Sequence, residues 1–177
     1  VRYPRVGKRK KEAAAMLEAI PKSIFSWNFF LKDDGNVLAE IDLSLWREKG
    51  TLLIQGTSYH FFREGWMSGL YILKSREGSV IACADKPSAF LRRFEIQYQS
   101  QHYTLRAISP LHRGFDLCDS ANRTLGSITP QGIFTRRADV DLPDALPLSV
   151  KAFTVSLVII LWRRQARNNS SSSSGSH

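Results

Sequence analysis

The sequence predicts a mainly β fold, a closed antiparallel barrel of about twelve strands around a central hydrophobic C-terminal α-helix. Three observations carry that expectation. From Ser23 to Val140 the chain reads as short β-branched, aromatic and aliphatic runs broken by Gly, Asp, Asn and Ser. Aligned on Leu31, Leu73 and Leu117, the stretches Phe29–Ile41, Tyr71–Ala84 and Phe115–Ile128 repeat at 42 and 44 residues, with roughly four strands in each of three periods. Near the end of the chain, Phe153–Trp162 runs for ten residues without a charge.

Residues 1–22 read as a basic N-terminal extension, in which KKEAAAMLEAI favours a short helix stopped by Pro21. Eleven strand candidates follow, from SIFSWNFFL through NVLAEIDL, TLLIQG, SYHFFR, LYILKS, SVIACA, RRFEIQY, HYTLRAI, GFDLCD and RTLGSI to IFTRRA. Between the first two, Asp33-Asp34-Gly35-Asn36 is a string of turn formers and is read as a plain hairpin, not a metal loop. A period near 42 also suits WD-type propeller blades, but propellers use about four to eight blades and this chain has room for three. Closing the meander into a barrel removes its edges, and a wide barrel leaves a lumen to be filled.

The apolar run supplies the filling. As a helix its ten residues would span about 15 Å, against a bilayer core of about 30 Å, so a buried helix at about 146–167 is expected in place of a membrane span. Pro143, Pro147 and Asp144 precede it and Arg163, Arg164 and Arg167 follow it, as helix polarity favours. The β-branched content of VSLVII leaves a strand open as the alternative. The expected organisation is therefore the extension 1–22, the barrel with its helix 23–167, and a disordered Ser-rich tail 168–177.

Repeated hairpins, the LYILKSREGSVIACA type of turn and the closing LPLSVKAFTVSLVIILWRR together resemble the tubby C-terminal-like superfamily, which includes tubby, LURP-one-related and phospholipid scramblase proteins. The resemblance covers about Ser23 to Arg167 and implies a twelve-stranded barrel threaded by the C-terminal helix. It also implies a non-catalytic domain that contacts anionic phospholipid or phosphoinositide at a membrane surface. Three departures limit what carries over. The Phe-x-Gly-Arg segment of tubby has no match, so no lipid ligand is assigned to a residue on that ground. The cysteine-rich palmitoylation cluster of scramblases is missing, and Asp139, Asp141 and Asp144 lack the glycine and closing glutamate of a calcium loop.

Catalytic chemistry has little to build on. His60, His102 and His112 are scattered, and no GxSxG, Walker, HExxH or dinucleotide-type glycine motif occurs. No enzyme activity, cofactor or metal is expected. Cys118 alternates with Phe115 and Leu117, which places it beside Asp116 on a partly exposed face. With two cysteines, Cys83 and Cys118, and no secretory signal pattern, the expected setting is the cytoplasm, with peripheral attachment to a membrane.

The net charge of +9 is concentrated at the ends: residues 1–22 carry 7 Lys/Arg against 2 Asp/Glu, residues 151–177 carry 4 against 0, and residues 23–150 balance at 14 each. The candidate contacts to phosphate or anionic lipid are Lys8, Arg9, Lys10 and Lys11 together with the pairs Arg92-Arg93, Arg136-Arg137 and Arg163-Arg164. Strand alternation would send the two members of a pair to opposite faces, one to structure and one to a phosphate site if several converge on the barrel rim. Nucleic acid is the less favoured partner because the body is neutral, a protein-interaction scaffold is a further alternative, and the chain is expected to be a monomer.

Overall fold

The structure, a computed structural model, describes residues 16–172 apart from 45, 46, 66, 89 and 134. Twelve strands follow one another up and down: β1 Leu17–Pro21, β2 Phe29–Asp33, β3 Asn36–Leu43, β4 Lys49–Ile54, β5 Thr57–Arg63, β6 Tyr71–Lys74, β7 Val80–Asp85, β8 Arg93–Tyr98, β9 Gln101–Ala107, β10 Phe115–Asp119, β11 Thr124–Pro130 and β12 Ala138–Asp141. One helix, α1, runs from Leu148 to Ser172. Each strand pairs antiparallel with its neighbours in sequence, and β1 pairs with β12 through Leu17 with Val140 and Ala19 with Ala138, which closes the barrel.

Alternation along the strands separates the two faces. Leu17, Phe29, Leu31, Ile41, Leu52, Phe61, Tyr71, Leu73, Phe94, Leu105, Phe115 and Ile128 point inward and are buried. Between these large residues sit Ala19, Ala39, Ala82, Ala84 and Ala138, also buried, which leave room for a central element. That element is α1. Every residue from Ser149 to Arg163 is buried, so the helix is enclosed on all sides. Its two interior hydroxyls are satisfied within the helix: Thr154 donates to the Val150 carbonyl at 2.9 Å and Ser156 to the Ala152 carbonyl at 2.7 Å.

The outward face is mixed, with Ile20, Phe30, Leu53, Phe62 and Ile72 set among many charged and polar side chains. Glu18, Lys32, Glu40, Asp42, Lys74, Glu95, Gln97, Arg106, Asp116 and Asp139 stand on it, whereas a barrel that crosses a membrane presents an apolar band to lipid. Among the described residues no helix is long and apolar enough to cross a membrane.

The two ends of the barrel differ. At one end the strands are joined by tight turns, residues 34–35, 55–56, 75–79, 99–100 and 120–123. Asp34 and Gly35 have φ of 44° and 81°, the left-handed pair that a two-residue hairpin requires, so the DDGN segment is a hairpin as expected. At the other end lie six loops, residues 22–28, 44–48, 64–70, 86–92, 108–114 and 131–137, most of them longer than the turns. Loop starts recur every 20 to 23 residues, so the underlying unit is one up-and-down strand pair, and the 42–44 residue period is two such units. The helix enters after β12 from the tight-turn end and leaves among the loops.

Four expectations need correction. The N-terminal extension does not reach residue 22: Leu17–Pro21 is a strand, and no short helix spans it. Pairing to both β2 and β12 overrides the local helix preference, because without β1 two edges would stand open. IFTRRA is not a strand, since residues 131–137 form a loop and β12 begins at Ala138, whose methyl faces the core. The expected disordered tail at 168–177 is shortened, because α1 continues to Ser172, with Ser170 bonding back to the Ala166 and Arg167 carbonyls; residues 173–177 lie outside the described set. Cys118 is fully buried rather than partly exposed. A bulge between Leu117 and Cys118 opposite β11 breaks the alternation, and the thiol lies 3.8 Å from the Thr124 hydroxyl.

The last correction has a measurable consequence. Cys83 is half-buried and its thiol is pushed up by burial first and by the Glu64 charge second. In native protein, one thiol is expected to titrate slowly with a disulfide reagent and the second only after denaturation. Two fast-reacting thiols in native protein would contradict the burial of Cys118.

Candidate functional site

The loop end of the barrel is organised around the exit of α1. Trp162 donates from its indole N–H to the Arg113 carbonyl at 2.9 Å, and Arg163, itself buried, donates to the Ser44 carbonyl at 2.6 Å. Arg164 forks onto both oxygens of Glu48, at 2.5 and 2.6 Å, and reaches the Tyr71 hydroxyl at 2.9 Å. Tyr71 in turn donates to Glu48 at 2.6 Å, and Arg63 approaches the same carboxylate at 3.3 Å. Burial alone would raise the Glu48 carboxyl, but hydrogen bonds from Arg164 and Tyr71 and the two arginine charges hold it below the usual range. Tyr71 is pushed up by burial and then by its bond to Glu48. This cluster fastens the end of the helix to the β3–β4 loop and to β6.

Around the mouth, arginines clasp one loop to the next. Arg92, at the end of the β7–β8 loop, donates to the Pro110 and His112 carbonyls of the β9–β10 loop at 3.4 and 2.9 Å. From that loop Arg113 donates to the Ile133 and Thr135 carbonyls of the β11–β12 loop at 3.3 and 2.9 Å. Arg136 continues the series, donating to the Ser23, Ile24 and Ser26 carbonyls of the β1–β2 loop. Each guanidinium also lies over an aromatic ring: Arg92 over Phe115 at 5.0 Å, Arg113 over Trp162 at 4.8 Å and Arg136 over Trp27 at 5.0 Å. Asn28 extends the series by accepting from the Leu43 N–H at 2.9 Å.

Carbonyls fix these arginines without neutralising them. None of Arg92, Arg113 and Arg136 forms an ion pair with a described carboxylate. Burial, and then the charge of Arg113, lowers the Arg92 pKa; burial, and then the charge of Arg136, lowers that of Arg113. The groups remain protonated, so the mouth carries a row of mutually repelling cations. One buried nitrogen of Arg92, Nη2, has no hydrogen-bond partner.

Charge is therefore segregated by position. The six loops and the helix exit hold Lys22, Arg47, Lys86, Arg92, Arg113, Arg136, Arg137, Arg163, Arg164 and Arg167 against Glu48 and Glu64. The opposite end, including the link from β12 to α1, holds Arg76 and Arg123 against Asp34, Glu77 and Asp144, and the other acids of the body lie on strands. Clefts open at the loop end, among them one of about 400 Å³ between the β1–β2 and β11–β12 loops that Arg136 and Arg137 line. Another of about 580 Å³ has Arg47, Lys49, Arg63 and Arg167 around Glu48; one of about 310 Å³ lies between Lys86, Arg92 and Arg164, beside Leu91 and Pro110.

The residues singled out from the sequence divide clearly. Arg92, Arg136, Arg137, Arg163 and Arg164 come to the loop end, where Arg137 is exposed. Arg93 begins β8 and pairs with Glu95 of its own strand. Alternation does not describe the pairs, because only Arg93 among the six stands in a strand. Lys8, Arg9, Lys10 and Lys11 lie outside the described residues. Arg113, Lys86, Arg63, Arg47 and Glu48 escaped sequence reasoning. A signal for one of them was present: Arg113 stands 21 residues after Arg92 and 23 before Arg136, one strand pair in each direction.

Among the described residues no three His, Cys, Asp or Glu side chains are grouped to hold a metal. No known protein family, curated protein or solved structure matches this chain.

Proposed function

We propose that the chain is a non-catalytic binding domain that meets an anionic phospholipid surface with the loop end of its barrel. The observation that carries the reading is the row Arg92–Arg113–Arg136, three cations fixed in place by backbone carbonyls and left without a carboxylate. A structure gains little from placing like charges side by side, and an anion at the mouth would relieve the repulsion. Phosphate suits the arrangement, because fixed guanidinium groups bind it with charge and directed donors together. The closed barrel with a threaded helix also agrees with the architecture of the tubby C-terminal-like superfamily, whose phospholipid contacts point the same way.

The test is co-sedimentation with phosphatidylcholine vesicles containing or lacking phosphatidylserine or a phosphoinositide, at rising salt. Pelleting that requires the anionic lipid is expected. Arg47 and Arg137 are exposed and make no side-chain hydrogen bond or ion pair among the described residues, so Arg47→Ala with Arg137→Ala leaves the fold intact. At about 1 kcal/mol for each cation near an anionic surface, the double variant should bind roughly 30-fold more weakly. Indifference of the protein to lipid charge would overturn the proposal, and tight, salt-sensitive binding of RNA in its place would assign the cations to nucleic acid.

A further inference from the structure

Large apolar residues stand exposed on the same loops that carry the cations. Phe25 in the β1–β2 loop is 89% exposed, Phe90 in the β7–β8 loop and Leu111 in the β9–β10 loop are each 96% exposed, and Ile133 in the β11–β12 loop is 83% exposed. Met67 in the β5–β6 loop is exposed as well, so among the described residues five of the six loops present such a residue. The five tight turns at the other end of the barrel contain no large apolar residue at all. Exposure of single apolar side chains is ordinary, and Val37, Leu53, Val80 and Leu125 beside the tight turns are about half exposed; but among the described residues every large apolar side chain that is more than three-quarters exposed lies on the loops of this one end.

Three of the tips also have an arginine close by at the base of the loop. Phe90 is followed two residues later by Arg92, Leu111 two residues later by Arg113, and Ile133 three residues later by Arg136. Those bases are tied to neighbouring loops by the carbonyl contacts of the same arginines, which hold the β7–β8, β9–β10, β11–β12 and β1–β2 loops side by side in an arc and leave the tips free. An apolar tip above a cationic base matches the layering of a membrane interface, where acyl chains lie beneath a plane of phosphates.

We infer that these loop tips insert into the interfacial layer of an anionic phospholipid leaflet, seating the barrel with its loop end down and its helix exit facing the lipid. The inference rests on the anionic-surface reading above and adds to it an apolar component. A leaflet is the occupant favoured by two features. The tips are spread around the mouth, with Phe90 bordering the cleft of about 310 Å³ and Phe25, Leu111 and Ile133 standing outside these clefts, and the cations that alternate with them call for an extended anionic plane. A fluid surface also accommodates tips of unequal height, which a rigid partner would have to match one by one.

The experiment compares wild type with Phe25→Ser, Phe90→Ser, Leu111→Ser and Ile133→Ser combined, on vesicles of phosphatidylcholine and phosphatidylserine. Burying even part of each of four such side chains makes a loss of about 100-fold in affinity the expected result. Wild type should keep a salt-resistant fraction of its binding at 0.5 M NaCl, chosen as roughly the range where screening length falls to a few ångströms, and the variant should not. A nitrobenzoxadiazole dye on Leu111→Cys, in a Cys83→Ser background, should shift to the blue on binding and be quenched by spin-labelled acyl chains. Unchanged melting of the variant in solution shows that the fold is intact. If wild type binds anionic vesicles but the variant matches it within twofold and the dye is not quenched, insertion is overturned while the charge reading stands. If wild type binds no vesicle, both are overturned.

Discussion

Phe153→Ala is expected to destabilise the protein by about 3–5 kcal/mol, a large share of the 5–15 kcal/mol that separates a folded domain from its unfolded chain. Phe153 is fully buried on the side of α1 that meets β5, its ring centroid 5.9 Å from that of Phe61 in an edge-to-face pair. Removal of the ring forfeits the transfer of its surface from water, the aromatic pair and the close packing of the lumen. Collapse around the gap is hindered, because Phe61 already lies against Gly50: a Cβ at that position would stand 2.7 Å from the Phe61 ring. A closed ring of strands also cannot shrink around a smaller plug without breaking its hydrogen-bond register. Urea unfolding should show the loss as a lower midpoint with an unchanged slope. A change below 1 kcal/mol would mean that the helix does not fill the barrel as described.

The second large effect is expected from Glu48→Ala, at about 3 kcal/mol, because removal of one partner leaves the others uncompensated in a largely desolvated site. Arg164 loses both of its fork contacts, Arg63 loses its carboxylate, and the Tyr71 hydroxyl loses its acceptor. With Arg163 and Arg167 close by, the helix exit would then hold three arginines and no acid. The pH dependence identifies the cause. The Glu48 carboxyl is lower in the folded protein than its ordinary value of 4.5, so protonation favours the unfolded chain. Its contribution is fully present above pH 4.5 and declines as the pH falls below that value towards the lowered folded pKa. The stability gap between wild type and variant should close over the same interval. A gap that stays constant with pH would show that Glu48 acts through packing and not through charge.

Much of this architecture was legible before any coordinates, for reasons that particular residues make plain. Phe153–Trp162 announced a buried helix because it is apolar on every side, a pattern that only full enclosure satisfies. Asp33–Asn36 announced a hairpin because few residues tolerate the left-handed pair that the turn needs. Leu17–Pro21 was illegible: its partners lie at Phe29–Lys32 and, more than a hundred residues on, at Ala138–Val140, and nothing within the segment reveals them. The inward place of Cys118 depends on a bulge that shifts one strand against its neighbour, which alternation cannot foresee.

The candidate site was legible only in part. Counting charges from Ser23 to Val150 gives balance, and balance argued against a basic surface. The count was right, yet cations such as Arg92, Arg113 and Arg136 occupy loops while acids such as Glu40, Asp116 and Asp139 occupy the outer faces of strands. One-dimensional cancellation thus conceals separation in three dimensions. Arg164 was correctly brought to the mouth, but its engagement by Glu48 depends on a residue 116 positions earlier in the chain.

The order of the elements along the chain bears on how the molecule is made. Strands β1 to β12 all leave the ribosome before α1, so the wall of the barrel is synthesised while the segment that fills it does not yet exist. Neighbouring hairpins are short-range and can form early, but their inward phenylalanines and leucines then have no partner. The two most distant strands must also meet to close the ring. Folding is thereby deferred to a late step in which closure and helix docking occur together, and until that step the nascent chain exposes the kind of apolar strand surface that chaperones recognise.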